Sequence, residues 1–208
     1  SKYELVSNGV DETQISVLPM GVTIPKVAVQ KTKEKTPTLI YVGRLTKAKG
    51  IEDALDLASP EFSLWVVGNG DTDYLTRLKK KIEERGLSGN VQLYGFVSDE
   101  KKFDLMARAH ILIAPSYKEG WGLTPIEAGS VGTPTVAYDV DGLRDSVLHN
   151  KSGLLVPPSV SKLSHAALRL INDRALHRRL QKGALLRSKE FSWDKTARAA
   201  LDVLRHAL

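Results

Sequence analysis

The feature that most constrains this chain is a strict alternation of two kinds of segment. Short, almost continuously apolar runs rich in β-branched and aromatic residues stand at TLIYVG (38–43), SLWVVG (63–68), VQLYGF (91–96), HILIAPS (110–116), TPTVAY (133–138) and GLLVP (153–157). Such runs predict strands covered on both faces. Between them, IEDALDLA (51–58), TDYLTRLKKKIEERG (72–86), DEKKFDLMARA (99–109), a stretch from about Pro125 and a short one near LRDSVLH carry helical spacing. Ser98 and Asp99 are candidate caps, Gly86 a candidate helix stop, and the chain from Ser159 onward reads as helix throughout. Parallel neighbours need a crossover, so the alternation predicts an α/β fold: a doubly wound, mostly parallel sheet with a helical C-terminal tail. The expected units are an α/β domain over residues 38–190 and a C-terminal helix over 191–208. Residues 1–37 differ: ISVLPMGV holds one plausible strand, and VAVQKTKEKTPT reads as a charged loop leading into the domain.

Composition narrows the function classes. A chain of 208 residues, 42% hydrophobic, can bury the core of one large domain or one and a half, and 26% charged residues argue against disorder. No apolar run approaches the roughly 18 residues of a membrane span, and SKYELVSNGV lacks the basic and apolar blocks of a signal peptide. Without cysteine there are no disulfides or thiolate metal sites, and the expected setting is the cytoplasm. The net charge of +6 suits anionic ligands or an acidic membrane surface as readily as plain solubility; nucleic acid is not an expected partner. The basic stretch RALHRRLQKGALLR leaves open a peripheral contact with the inner face of a membrane.

Ligands of doubly wound sheets sit beyond the carboxyl ends of the strands. After the first strand comes RLTKAKG, with Arg44, Lys47 and Lys49. After the fourth comes YKEGWGLTPIE, where Gly120 and Gly122 permit close backbone approach and the N–H groups of Trp121, Gly122 and Leu123 are expected at a helix start, with Pro125 at its first position. Thr124 and Glu127 also match a capping box, which would make Glu127 structural and Glu119 a solvated loop carboxylate. Fold topology nonetheless puts both loops on one rim. Cations and helix donors hold phosphates; carboxylates repel phosphates but accept hydrogen bonds from sugar hydroxyls. A nucleotide sugar, with its diphosphate between two sugars, fits both halves. Trp121 could stack on a sugar or base or pack on the domain, Trp65 and Trp193 are expected in the core, and none of the five histidines has a partner at metal or nucleophile spacing.

Several motifs, in order, resemble the C-terminal half of a GT-B retaining glycosyltransferase of family 4 (glycosyl transferases group 1). VGRLTKAKG (42–50), VVGNGD, LYGFVSDEK, EGWGLTPIEAGSVGTPTVAY with its E-x7-E spacing, DGLRDSVLHNKSGLLVPP and FSWDKTA each match a family stretch, from about Ile15 to the end. The resemblance implies a Rossmann-like half of a GT-B fold and transfer of a hexose from a GDP- or UDP-sugar, with retention, to a glycan or lipid. It implies no cofactor and no metal, the nucleotide sugar being the donor substrate. It gives Arg44 and Lys49 the diphosphate and Glu119 the transferred sugar, these three being the catalytic candidates. It gives Glu127 the ribose, and Gly43, Trp121, Gly122, Leu123 and Thr124 further donor contacts, with Phe96 and Val97 bordering the base. The pattern departs at Asp145, where the family often has Glu, and at Gly142, which stands without its paired glycine. The resemblance also implies a missing N-terminal, acceptor-binding domain, so the chain is expected to be a piece of a longer enzyme or a stand-alone donor module.

Rival classes remain. A dehydrogenase would want G-x-G-x-x-G after the first strand, where this chain has cations. A non-hydrolysing sugar-nucleotide epimerase, a glycogen phosphorylase or synthase relative, and a non-catalytic nucleotide-sugar-binding module are closer alternatives.

Overall fold

The computed structural model describes residues 2–18, 20–24 and 32–207. Pro19 and residues 25–31, which include part of the expected ISVLPMGV strand and of the VAVQKTKEKTPT loop, lie outside the described residues. Six strands form one sheet: β1 (Thr38–Val42), β2 (Ser63–Val67), β3 (Val91–Gly95), β4 (Ile111–Ala114), β5 (Thr135–Tyr138) and β6 (Gly153–Val156). All five pairings are parallel, in the order β3-β2-β1-β4-β5-β6. The fold is the doubly wound, Rossmann-like α/β architecture that the alternation predicted. Its connectivity reverses between β1 and β4, and that switch point opens a crevice beyond the strand ends.

Alternate side chains of each strand feed opposite faces. Leu39 and Tyr41 of β1 join one core cluster with helices α2 (Ile51–Leu55), α3 (Thr72–Glu84), α7 (Val160–Asn172) and α8 (Arg174–Ser188). Ile40 joins the other with α4 (Asp99–Arg108) and α5 (Leu123–Ser130). Both faces being dry is why the inner strands read as unbroken apolar runs, whereas the edge strand β3 exposes Gln92 and is not covered on both faces as its run predicted. Ser98 caps α4 by accepting from the Lys101 N–H, and Asp71 caps α3 by accepting from Asp73 and Tyr74. Gly86, left-handed at φ 66°, follows the end of α3. The remaining helices are α1 (Lys2–Ser7), α6 (Asp141–Ser146) and α9 (Trp193–Ala207).

Three local expectations are corrected. The described residues 15–18 and 20–24 form no strand. They lie against the start of α9 instead of a sheet edge, with Gly21 packed on the Trp193 backbone and the Trp193 Nε1–H donating to Thr23 Oγ1 at 3.1 Å. Trp193 is accordingly no core residue but 52% exposed, whereas Trp65 is buried. The third concerns α5, which begins at Leu123 with Gly122 as its cap residue, so Pro125 stands third. Proline is tolerated there because its missing N–H falls among the unpaired donors of the first turn.

Candidate functional site

The crevice between β1 and β4 is built by loops that hold one another through backbone bonds. Beyond β1, the Gly43 N–H donates to Val67 O at 3.0 Å and the Leu45 N–H to Asn69 O at 2.9 Å, fixing the cationic loop to the β2 loop. Tyr41, reaching up from β1, donates its hydroxyl to Arg44 O at 2.7 Å. Burial, followed by the nearby Tyr74 and Glu119, holds that phenol well above its ordinary pKa, so it remains a donor. A short 3-10 turn, Lys47–Lys49, ends on Gly50, left-handed at φ 67°. A Cβ there would sit 2.0 Å from Pro115 O, so only glycine lets the two loops approach this closely. The Tyr117 N–H then donates to Ala48 O at 3.0 Å.

This approach brings together several of the residues that the motifs singled out. Lys49 Nζ lies 2.7 Å from Glu119 Oε2, with the two side chains 20% and 19% exposed. Arg44, exposed, and Lys49 line one cavity of about 250 Å³ with Gly43, Glu119, Trp121, Leu123 and Thr124. A second hollow of about 380 Å³, bordered by Asp139, Asp141, Arg144 and Asp145, shares Glu119 with the first. The site therefore has a cationic compartment and a carboxylate-rich one, with Glu119 at the junction. Gly142 secures that junction: its N–H donates to Glu119 O at 3.2 Å, its carbonyl accepts from the Gly122 N–H at 3.0 Å, and a Cβ would sit 2.4 Å from Glu119 O.

The helix-start donors are only partly free. The Gly122 N–H is engaged by Gly142, and the Leu123 N–H donates to Trp121 O at 3.0 Å, which corrects the expectation that both point at a ligand. α5 carries no side-chain cap. Trp121 packs edge-on against Phe191, ring centres 5.5 Å apart, and its buried Nε1–H has no hydrogen-bond partner among the described residues. A buried donor without a partner is an uncommon feature.

Glu127 is not part of a capping box, because Thr124 is inside the helix. Its carboxylate is held by Lys102 Nζ at 2.9 Å, and Lys102 also reaches Asp99 at 2.9 Å. Burial disfavours the Lys102 ammonium, but the two carboxylates outweigh it and leave its pKa raised. Lys102 was not singled out in the sequence, since a lysine in DEKKF carries no motif. Glu127, Phe96 and Val97 do not line the 250 Å³ cavity. Phe96, 81% exposed, and Val97 cross the rim beyond β3, two strands from the crevice. Among the described residues no group of three or more His, Asp or Glu is placed to hold a metal ion, and no helix is long and apolar enough to cross a membrane.

The sequence matches the model of the family described as glycosyl transferases group 1 over residues 24–187. The chain belongs to that family. Among curated relatives, this group 1 chain is 32% identical over 177 residues to the D-inositol 3-phosphate glycosyltransferase of Jonesia denitrificans, covering 79% of the chain and 42% of the relative. It is 29% identical over 211 residues to a glycogen synthase of Mycobacterium tuberculosis, covering 96% of the chain and 50% of the relative. The chain thus spans about half the length of these relatives. Among solved structures, sucrose-phosphate synthase of Thermosynechococcus elongatus superposes with a TM-score of 0.85 at 28% identity, covering 99% of this chain and 56% of that one. Anabaena HepE in complex with UDP and glucose shares the fold, with a TM-score of 0.84 at 22% identity over 99% of this chain and 61% of that one.

Proposed function

We propose that this group 1 chain is the donor-binding part of a retaining, metal-independent hexosyltransferase that uses a nucleotide sugar. The observation that carries the reading is the meeting of Arg44, Lys49 and Glu119 at the topological switch point, with Lys49 and Glu119 2.7 Å apart. In this reading the diphosphate enters the cationic compartment and takes Lys49 from Glu119. The freed carboxylate then accepts hydrogen bonds from the hexose hydroxyls. Phosphate placed beside Trp121 and Thr124 is held by donors at the start of an uncapped helix, where the dipole favours negative charge.

The chemistry follows from the charges. Breaking the bond between the anomeric carbon and the phosphate oxygen leaves the electron pair on the nucleoside diphosphate. Arg44 and Lys49 stabilise that growing charge, a form of preorganised electrostatics commonly worth several kcal/mol, roughly 3 to 4 per well-placed donor. The acceptor hydroxyl attacks the face the phosphate leaves, and its proton passes to the departing phosphate oxygen, which gives retention. Glu127 takes the ribose hydroxyls after its partner Lys102 yields. UDP is favoured over GDP because relatives of this fold were solved with UDP and UDP-glucose. The acceptor, a glycan or lipid, is met by an N-terminal domain of the longer enzyme.

Calorimetry tests the reading. UDP and UDP-glucose are expected to bind the wild-type chain, and Arg44→Ala with Lys49→Ala to weaken binding by at least about 100-fold, since two charge-assisted contacts of roughly 1.5 to 3 kcal/mol each are lost. Undiminished binding in a folded double variant removes both residues from the site.

A further inference from the structure

At the amino-terminal end of the sheet, opposite the crevice, a separate cavity of about 460 Å³ lies between Lys33, His110 and one face of α8. Arg174, His177, Arg178 and Gln181 line it at i, i+3, i+4 and i+7, a single helical stripe. Among the described residues every ionisable side chain on its wall is basic, and no carboxylate lines it. The nearest acids are committed elsewhere. Asp173 accepts from the Ala175 and Leu176 N–H groups at the start of α8, and Glu34 pairs with Arg108. Among the described residues neither Arg174 nor Arg178 has an ion-pair partner.

Lys33 deepens the positive field. Its ammonium donates to Ala109 O at 2.6 Å and Thr133 Oγ1 at 2.7 Å, with Gly132 O at 3.4 Å, all neutral groups near the carboxyl ends of α4 and α5. Those helix ends offset part of the charge, yet no anion neutralises it. The two histidines differ: His110 is held as a neutral ring, and only His177 keeps a free nitrogen for a second proton. His110 Nδ1 accepts from the Thr38 N–H at 3.1 Å, which puts the neutral ring's hydrogen on Nε2. His177 Nε2 lies 3.0 Å from His110 O, so Nε2 carries a hydrogen and Nδ1 is left to receive a second proton.

We propose that this cavity is a second ligand site, for a tetrahedral dianion of the phosphate or sulfate class, gripped by Arg174, Arg178 and protonated His177. Arginine forks suit such oxyanions. Pro37 and Ile171 offer apolar surface to an organic body attached to the anion. Because burial lowers the His177 pKa from its usual value, a bound dianion must draw a proton onto the ring, and affinity falls as pH rises. Lys33, pushed down by burial to about 7, adds to the same dependence.

The test is an NMR titration of the Arg44→Ala/Lys49→Ala chain, which lacks the crevice cations, with sulfate at fixed ionic strength in chloride buffer. The expected result is saturable shifts of the His177 ring and the amides of 174–181, tighter at pH 6 than at pH 8. Adding Arg174→Ala and Arg178→Ala, both exposed and so harmless to folding, should weaken binding at least about tenfold through the lost charge-assisted bonds. Lys33→Met should weaken it as well. Shifts that never saturate, that saturate equally without the two arginines, or that centre on 43–49 and 119–124 overturn the proposal. Repeating the titration with inorganic phosphate and glucose 1-phosphate separates the sources: a stronger response to the ester names a phosphorylated metabolite, and equal responses name the free ion.

Discussion

At the scale of single residues, Glu127 separates what a motif can say from what packing decides. Thr124-Pro-Ile-Glu127 reads as a capping box, but two residues of difference in where α5 begins put Thr124 inside the helix and send the carboxylate to Lys102. A motif match cannot set a helix start when Gly122, held by Gly142 at the start of α6, is the true cap residue. If Glu127 takes the ribose, Glu127→Gln should weaken UDP binding about tenfold, the worth of one or two charge-assisted bonds, while inorganic pyrophosphate binds as before. Calorimetry with both ligands makes the comparison. Equal losses for the two would mean that Glu127 acts on the shape of the site and not on the nucleoside. Lys49 and Glu119 were legible as separate candidates; their contact was not, because no spacing in the sequence reports a distance across 70 positions.

At the scale of elements, the strands were the easiest part to read. A strand buried on both faces writes itself as an apolar run, and all six runs became strands within a residue or two. The exposed loops carried the least signal, and the site lies in them. Gly142 shows how. In sequence it looks like a family glycine that has lost its partner; in the fold it is buried in the first turn of α6, and its backbone bonds both Glu119 O and the Gly122 N–H, so it sets the position of the catalytic candidate in the neighbouring loop. Gly142→Ala puts a Cβ 2.4 Å from Glu119 O. The loop must move, at a cost of about 1 to 3 kcal/mol typical of overpacking. Donor affinity should fall by about tenfold or more, and urea unfolding beside UDP-glucose titration measures both. A variant that loses stability but keeps affinity would show that Glu119 needs no such support.

At the scale of the whole molecule, the two ends of the sheet carry basic groups under opposite conditions. At the carboxyl end Lys49 has a carboxylate partner. Among the described residues His110 and Lys33 at the amino end have no carboxylate ion-pair partner, and burial holds their pKa values down, to about 4 and about 7, Lys33 also repelling a proton on His110. The sign of the linkage follows. An unfolded histidine binds its proton near pH 6.5, above the folded value, so the unfolded state binds more protons between about pH 6.5 and 4 and stability falls as pH drops through that window. Lys33 does the same higher up, its unfolded value near 10.5, so stability should also rise from pH 7 toward pH 10. The groups facing His110 are Lys33, His177 and Glu34, and only Glu34 opposes the shift. His110→Asn keeps an acceptor for the Thr38 N–H but cannot ionise. In chloride buffer, the loss of unfolding free energy between pH 7 and pH 5 should therefore be smaller in His110→Asn than in wild type, by about 1 to 2 kcal/mol once partial exposure is allowed for. Parallel urea curves at the two pH values read the difference directly. Identical losses would place the acid sensitivity in carboxylates instead, and would mean that the basic wall at the foot of the sheet tolerates protonated His110 without cost to the fold.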